Sequence, residues 1–137
     1  MRLRWLPALP AALLASALAG CSSTEHAGVG VGAITIEKGQ TLSIDLGKVN
    51  GSIGDSWYVV ESGDRGILGE PDRRYDSDCR GGEVGCGGTL SYEFEAVGVG
   101  ETHLVFQYCY RSGPSNCDTS SGRGPTTPQT IKVTVTK

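Results

Sequence analysis

The chain has 137 residues, with 12 basic and 15 acidic side chains and a formal net charge of −3 at pH 7. This length allows one domain, or one domain with a tail, and the 21 glycines disfavour a helical bundle, because Gly costs about 1 kcal/mol inside a helix. After residue 20, no stretch is long and apolar enough to span a membrane as a helix, and no stripe of Lys and Arg suits binding to nucleic acid.

The first 20 residues have the pattern of a secretory signal peptide. Arg2 and Arg4 form a short positive region, and residues 6–19 form an apolar core that Pro7 and Pro10 interrupt. Such a segment is removed from the mature protein. We therefore expect the folded domain to lie outside the cytoplasm, where disulfides persist.

Residues 18–21, Leu-Ala-Gly-Cys, resemble the lipobox of bacterial lipoproteins. The resemblance implies that Cys21 becomes the first residue and that its thiol carries a diacylglyceryl group. The alternative is ordinary cleavage after residues 15–17, Ala-Ser-Ala. We favour the lipobox, because it leaves an even number of cysteines in the rest of the chain. Residues 21–30 are then a lipidated flexible tether, and the lipid anchors the chain to the bacterial cell membrane.

From residue 31 onward, apolar and polar residues alternate with the period of a β-strand. The alternation predicts strands over 33–36, 42–46, 57–61, 90–96, 104–110 and 131–136, with a weak further strand at 67–68. Turn pairs such as Lys38-Gly39 and Asn50-Gly51 separate these segments. About seven strands predict an all-β fold, an immunoglobulin-like antiparallel sandwich formed by residues 31–137.

The segment 72–88 shows no regular alternation, and loops of this length are typically functional or disordered. Its two cysteines argue against disorder. The acidic residues in and beside it are Glu70, Asp72, Asp76 and Asp78. They lack the D-x-D-x-D-G pattern of a calcium site, and Arg73, Arg74 and Arg80 offset their charge, so we interpret the segment as a solvated loop.

The predicted domain contains four cysteines, which allow three disulfide pairings: Cys79, Cys86, Cys109 and Cys117. We predict the pairs Cys79–Cys86 and Cys109–Cys117, because each pair flanks one Gly-rich loop. Each small loop closed in this way contributes about 2.5 kcal/mol in the chain-entropy model. A crossed pairing, such as Cys86 with Cys109, is the alternative.

No pattern in the sequence indicates an enzyme, a metal site or a cofactor. A catalytic cysteine needs a free thiol and a histidine base, and the even cysteine count and the secreted setting oppose this. There is no G-x-S-x-G motif and no C-x-x-C spacing, and His103 is the only histidine after residue 30. A small secreted enzyme is therefore the least favoured hypothesis.

Three turns are richer in Gly than a hairpin needs, and they lie before the strand at 57–61, before the strand at 90–96 and after the strand at 104–110. Their order and placement resemble the chagasin family of cysteine protease inhibitors, whose loops carry N-P-T-T-G, G-x-G-G and R-P-W/F. The resemblance implies an immunoglobulin-like sandwich whose three loops enter the cleft of papain-like proteases as a wedge. The implied inhibitory residues are Asn50, Gly51, Ser52, Ile53, Gly54, Gly85, Cys86, Gly87, Gly88, Tyr110, Arg111 and Ser112.

The three loops match the family motifs unequally. Residues 85–88 fit G-x-G-G completely. In the first loop Asn50 and Gly54 match the ends of N-P-T-T-G, but Gly51 stands in place of Pro, and Ser52 and Ile53 in place of the two Thr. The third motif is absent. Residues 110–112, Tyr-Arg-Ser, occupy its place, or the arginine is displaced by one position.

The resemblance implies a reversible protein inhibitor of papain-like cysteine proteases, and we expect a monomer. Tyr110 is the expected aromatic anchor, since Tyr is enriched at binding hot spots. Bulky replacements of Gly87 and Gly88 are expected to weaken inhibition while the domain stays folded. The alternative is a lipid-anchored immunoglobulin-like module that binds an envelope protein or a wall polymer.

Overall fold

Eight strands form two four-stranded β-sheets packed face to face, in a computed structural model that describes residues 22–137. The strands are β1 (Thr24–Gly28), β2 (Ala33–Glu37), β3 (Thr41–Val49), β4 (Asp55–Glu61), β5 (Asp72–Ser77), β6 (Gly88–Glu95), β7 (Gly100–Tyr110) and β8 (Gln129–Thr136). The helical segments in this range are two short 3₁₀ turns, Gly51–Ile53 and Pro114–Asn116, and neither is long enough to cross a membrane. The predicted signal peptide 1–20 and the lipidated Cys21 lie outside the described residues.

One sheet has the strand order β1-β3-β6-β5, and the other has the order β2-β8-β7-β4. The edge strands β1 and β2 run parallel to β3 and β8, and the other four pairs are antiparallel. The predicted all-β sandwich is therefore confirmed, with eight strands where about seven were expected. Two edge pairs, β1 with β3 and β2 with β8, are parallel and not antiparallel as expected.

The core lies between the sheets and consists of the apolar residues of the alternating strands. Phe94 of β6 meets Phe106 of β7 in an edge-to-face arrangement, with the ring centroids 6.4 Å apart. Leu42 of β3 and Ile131 of β8 are likewise fully buried. Because burial of one such side chain contributes about 1.5–3 kcal/mol, this shared core holds the sheets together and gives their loops a rigid base.

The middle of the chain departs from the predicted strands. The weak strand at 67–68 is absent, and Leu68 makes only an isolated bridge with Ala96. Instead, residues Asp72–Ser77 form β5, so the prediction of an irregular loop over 72–88 is wrong for this part. All six residues of β5 are exposed and the strand pairs only with β6. An edge strand with no buried face needs no apolar alternation, and its charged side chains are typical of protected edges.

The predicted flexible tether is wrong for Thr24–Gly28, which form β1. This strand pairs with β3 in the register Thr24↔Thr41 to Gly28↔Asp45. Ala27 is buried in the core. Backbone hydrogen bonds to β3 hold this strand in place. Because its side chains are mostly small and polar, the sequence gives no sign of this pairing.

The two ends of the sandwich carry different parts of the chain. β3 has nine residues and thus spans about 30 Å between them. At the end where β3 begins, which we call the near end, Ser22 Oγ donates a hydrogen bond to the Gly39 carbonyl at 2.8 Å. The Thr41 N–H donates to the Ser23 carbonyl at 3.0 Å. The described chain therefore starts at the end where β3 begins, and the Gly-rich loops follow at the far end, where β3 stops.

Candidate functional site

Three loops meet at the far end of the sandwich. We call residues 50–54 the central loop, residues 85–88 the glycine loop and residues 110–113 the third loop. The central loop joins β3 to β4 and so crosses from one sheet to the other. The glycine loop leads into β6 beside β3, and the third loop leaves β7 beside β4. The topology therefore places the central loop between the other two.

The central loop is a capped 3₁₀ turn. Asn50 has an extended backbone (φ −131°, ψ 96°), and its side-chain oxygen accepts a hydrogen bond from the Ser52 N–H at 3.0 Å. At the other end, Gly54 has φ +86°, and its N–H donates to the Gly51 carbonyl at 3.1 Å. Asn is a favoured N-cap and Gly a favoured left-handed terminator. The loop thus keeps its shape without Pro, and it exposes Gly51 and Ser52 at its tip.

A half-buried carboxylate supports the base of the central loop. Asp55 accepts hydrogen bonds from the Tyr108 hydroxyl and, at 3.1 Å, from the backbone N–H of Asn50. Burial of the phenol, together with the adjacent Asp55 carboxylate, raises the pKa of Tyr108 to about 12. Tyr108 therefore remains a hydrogen-bond donor at any physiological pH. This contact ties the base of the loop to β7.

The glycine loop is bonded directly to the central loop. The Asn50 side chain donates a hydrogen bond to the Gly85 carbonyl at 2.9 Å. Gly85 and Cys86 are exposed, whereas Gly87 and Gly88 are buried. A Cβ on Gly87, which has φ +76°, would lie 2.8 Å from the Val49 carbonyl oxygen. The loop thus exposes its first two residues and packs its last two against the strands.

This packing contradicts the expectation that the domain stays folded with bulky residues in place of Gly87 and Gly88. A Cβ on Gly88 would overlap the Asp76 carbonyl oxygen and the Tyr75 ring. Bulky residues at these two positions are incompatible with the fold. The absence of side chains there serves close approach between neighbouring strands, whereas an added Cβ on the exposed Gly51 or Gly85 would meet no atom within 4 Å.

Both predicted disulfides are present, which confirms the pairing. The Cys79–Cys86 bond, with an S–S distance of 2.08 Å, closes the segment that ends in the glycine loop. The Cys109–Cys117 bond, at 2.03 Å, folds the segment after the third loop back onto β7. Cys86 is exposed and Cys109 is buried. Two of the three loops are therefore covalently braced.

The third loop is built around Arg111, which has φ +52° and is the one non-Gly residue with positive φ among residues 22–137. Its backbone N–H donates to the Gly54 carbonyl at 2.8 Å, and its Nε donates to the Ile53 carbonyl at 3.3 Å. A Cβ on Gly54 would lie 2.7 Å from Arg111 Cγ. The central loop therefore provides the space and the acceptors that hold Arg111. Ser112 closes the loop by donating to the Tyr110 carbonyl at 3.2 Å.

Tyr110 is less accessible than an aromatic anchor would be. It is half-buried, and two guanidinium groups lie over its ring, that of Arg111 at 5.2 Å and that of Arg123 at 5.0 Å from the centroid. The exposed side chains around Tyr110 are therefore those of Arg111 in the third loop and Arg123 in the connection to β8. Arg123 was not among the predicted site residues. It lies in a Gly-Arg-Gly-Pro turn, and only the folding back of this segment places it beside Tyr110.

Comparisons with known proteins agree with this geometry. The family model of the chagasin family peptidase inhibitors, I42, matches residues 35–134, a range that includes all three loops. The cysteine protease inhibitor EhICP2 of Entamoeba histolytica has a similar solved structure, with a TM-score of 0.58 and 14% identity over 84% of this chain and 97% of that one. The solution structure of amebosin has a TM-score of 0.58 and 25% identity over 85% of this chain and 100% of that one. The search of curated proteins found no match.

Proposed function

Since the chain belongs to the chagasin family of peptidase inhibitors, we propose that it inhibits papain-like cysteine proteases reversibly, with its three loops inserted into the active-site cleft as a wedge. One observation carries the proposal: loops from both sheets are hydrogen-bonded into one group at the far end of the sandwich. The family is one of inhibitors and not of enzymes. Its match favours this function over a module that binds an envelope protein or a wall polymer.

The proposed wedge makes contact through its exposed residues. These are Gly51 and Ser52 of the central loop, Gly85 and Cys86 of the glycine loop, and Arg111 of the third loop. A narrow cleft admits backbone most closely where side chains are absent, and Gly51 supplies such a point at the centre of the group. Among the inhibitory residues that the resemblance implied, Gly87, Gly88 and Tyr110 support the wedge, and the exposed set contacts the enzyme.

Rigidity supports the proposal energetically. The bonds from Asn50 to Gly85 and from Arg111 to Gly54 and Ile53 connect the three loops before any partner is present. The two disulfides restrict the flanking segments. A loop that is already ordered loses little entropy on binding, so a larger part of the contact energy appears as affinity.

The test is a titration of residues 22–137, which contain both sheets and the whole described core, against papain and several cathepsins. The proteases are reduced first and the reductant is then removed, so that the disulfides of the domain stay intact. We expect inhibition that reverses on dilution. No slowing at micromolar domain would refute the proposal for this class of protease.

A pair of matched variants tests whether the loops cause the inhibition. At both Gly51 and Gly30 an added Cβ meets no atom within 4 Å, and neither residue has a positive φ. Gly51 is at the wedge tip, whereas Gly30 lies between β1 and β2. We expect Gly51→Trp to abolish inhibition without unfolding the domain, and Gly30→Trp to inhibit like the parent. Equal inhibition by both variants would contradict the wedge.

We also propose that Cys21 is lipidated and holds the chain on the outer side of a bacterial cell membrane. Two disulfides fit an oxidising compartment. Ser22, the next residue, is bonded at the end opposite the three loops, so an anchor at Cys21 leaves the wedge directed away from the lipid. Metabolic labelling with palmitate tests this proposal: the full chain should incorporate the label and Cys21→Ser should not, and a parent chain without label would refute lipidation.

A further inference from the structure

Two arginines from different segments lie over one tyrosine beside the central loop. Arg111 follows β7 directly, and Arg123 lies near the end of the long connection to β8. Their guanidinium carbons are 5.2 and 5.0 Å from the centroid of Tyr110. Neither arginine takes part in the ion pairs that residues 22–137 form, whereas Arg65 and Arg74 do. This arginine pair is a positive patch on a chain whose net charge is −3.

The position of Arg111 is imposed by the fold. A left-handed backbone is uncommon for a residue with a side chain, and such outliers concentrate at functional sites. Here the Gly54 and Ile53 carbonyls accept its N–H and its Nε, and the missing side chain of Gly54 makes room for its stem. The guanidinium is therefore held at the border between the central and third loops.

Arg123 is brought beside Arg111 by contacts between residues that are far apart in the sequence. The Cys109–Cys117 bond turns the segment back, and the Tyr110 N–H donates to the Asp118 carbonyl at 3.4 Å. Gly124 lies against the Tyr108 ring so closely that a Cβ there would overlap it. The connection between β7 and β8 is thus packed onto the strand and presents Arg123 next to Arg111.

We propose that Arg111 and Arg123 form a cationic contact of the wedge that selects papain-like proteases whose clefts are bordered by carboxylates. This inference rests on the proposed inhibition and names the kind of target it acts on. Guanidinium groups bind carboxylates through paired, charge-assisted hydrogen bonds. Stacking on Tyr110 restricts both side chains in advance, and positive charge at the rim of an interface accelerates association with an acidic partner.

The test uses the protease that the titration finds to be most tightly inhibited. We expect the double variant R111Q/R123Q to lower the association rate constant about tenfold at low salt and less than about threefold at about 0.5 M salt, because salt screens the attraction. Arg65→Gln is the control, since Arg65 lies at the opposite end of the sandwich and forms an ion pair with Glu70. Thermal unfolding verifies that each variant is folded.

A double-mutant cycle identifies the partner groups. When the carboxylates that border the protease cleft are replaced by amides, the loss caused by R111Q/R123Q should disappear. If the double variant inhibits as fast as the parent at every salt concentration, or if the amide protease shows the same loss, the inference is refuted while the inhibition stands. If no protease is inhibited by the parent domain, the proposed function itself fails, and the inference fails with it.

Discussion

Gly51→Pro should stabilise the domain against unfolding. Gly51 is the first residue of the 3₁₀ turn, where Pro is favoured because the first N–H of such a turn has no partner within it. The preceding Asn50 has φ −131°, which lies inside the extended region that a residue before Pro adopts, and ψ 96°, which lies about 25° below it. Gly51 has no positive φ, and no atom lies within 4 Å of an added Cβ. The substitution thus fits the native backbone.

The expected size of this effect follows from the unfolded chain. Replacing Gly by Pro at a compatible site stabilises a protein by about 0.4–1 kcal/mol, because the unfolded chain loses freedom. Urea unfolding measures this gain as a rise in the unfolding free energy. Because the gain arises in the unfolded chain and the free loop already has its bound shape, it adds no affinity for a protease.

The control lies at the other end of the same loop. Gly54 has φ +86°, a value that Pro cannot adopt, and its N–H donates to the Gly51 carbonyl. Gly54→Pro should therefore destabilise the domain by more than about 1 kcal/mol. If Gly51→Pro destabilises to a similar degree, the capped turn described for the central loop is wrong.

Three further predictions concern the residues that support the loops. Gly88→Ala should lower the unfolding free energy by more than about 2 kcal/mol in urea titrations, because its Cβ would overlap the Asp76 carbonyl oxygen; wild-type stability would contradict the close approach of β5 and β6. Replacing Cys79 and Cys86 together by Ser should cost about 2.5 kcal/mol of stability and weaken inhibition, and inhibition that is unchanged in this variant would show that the bridge does not stiffen the wedge. Because the folded-state pKa of Tyr108 is raised to about 12, its stabilising contribution is complete below pH 10 and is lost as the pH rises toward 12. Tyr108→Phe should therefore lose less stability than the parent between pH 10 and pH 12 in thermal unfolding, and equal losses would refute this assignment.

The parts of the fold that were predictable are the strands with one buried face. β3, β6, β7 and β8 alternate because their apolar residues enter a shared core, and each lies close to its predicted position. β5 has no buried face and β1 buries little besides Ala27, so both depend on backbone pairing. The hydrophobic periodicity and the composition of a segment do not reveal backbone pairing. For this reason β5 was interpreted as part of a loop and β1 as part of a tether.

The candidate site divides in a similar way. The order of the loops and the cysteine pairs follow from local motifs, and the structure shows both. The structural role of Gly88, which makes room for β5, does not follow from such a motif. A glycine that lets a binding partner approach and a glycine that lets a neighbouring strand approach look the same in the sequence. Arg123 was missed because it is 13 positions from Tyr110, and a disulfide and the packing of Gly124 bring the two together.

The most direct test of the wedge is protection of the target's catalytic thiol. All four cysteines of residues 22–137 are in disulfides, so an alkylating reagent such as iodoacetamide reacts only with the reduced protease. With saturating domain and no reductant, we predict that alkylation of the catalytic cysteine slows in proportion to the fraction of protease bound and recovers on dilution. Alkylation at the rate of the free enzyme would show that the three loops do not fill the cleft.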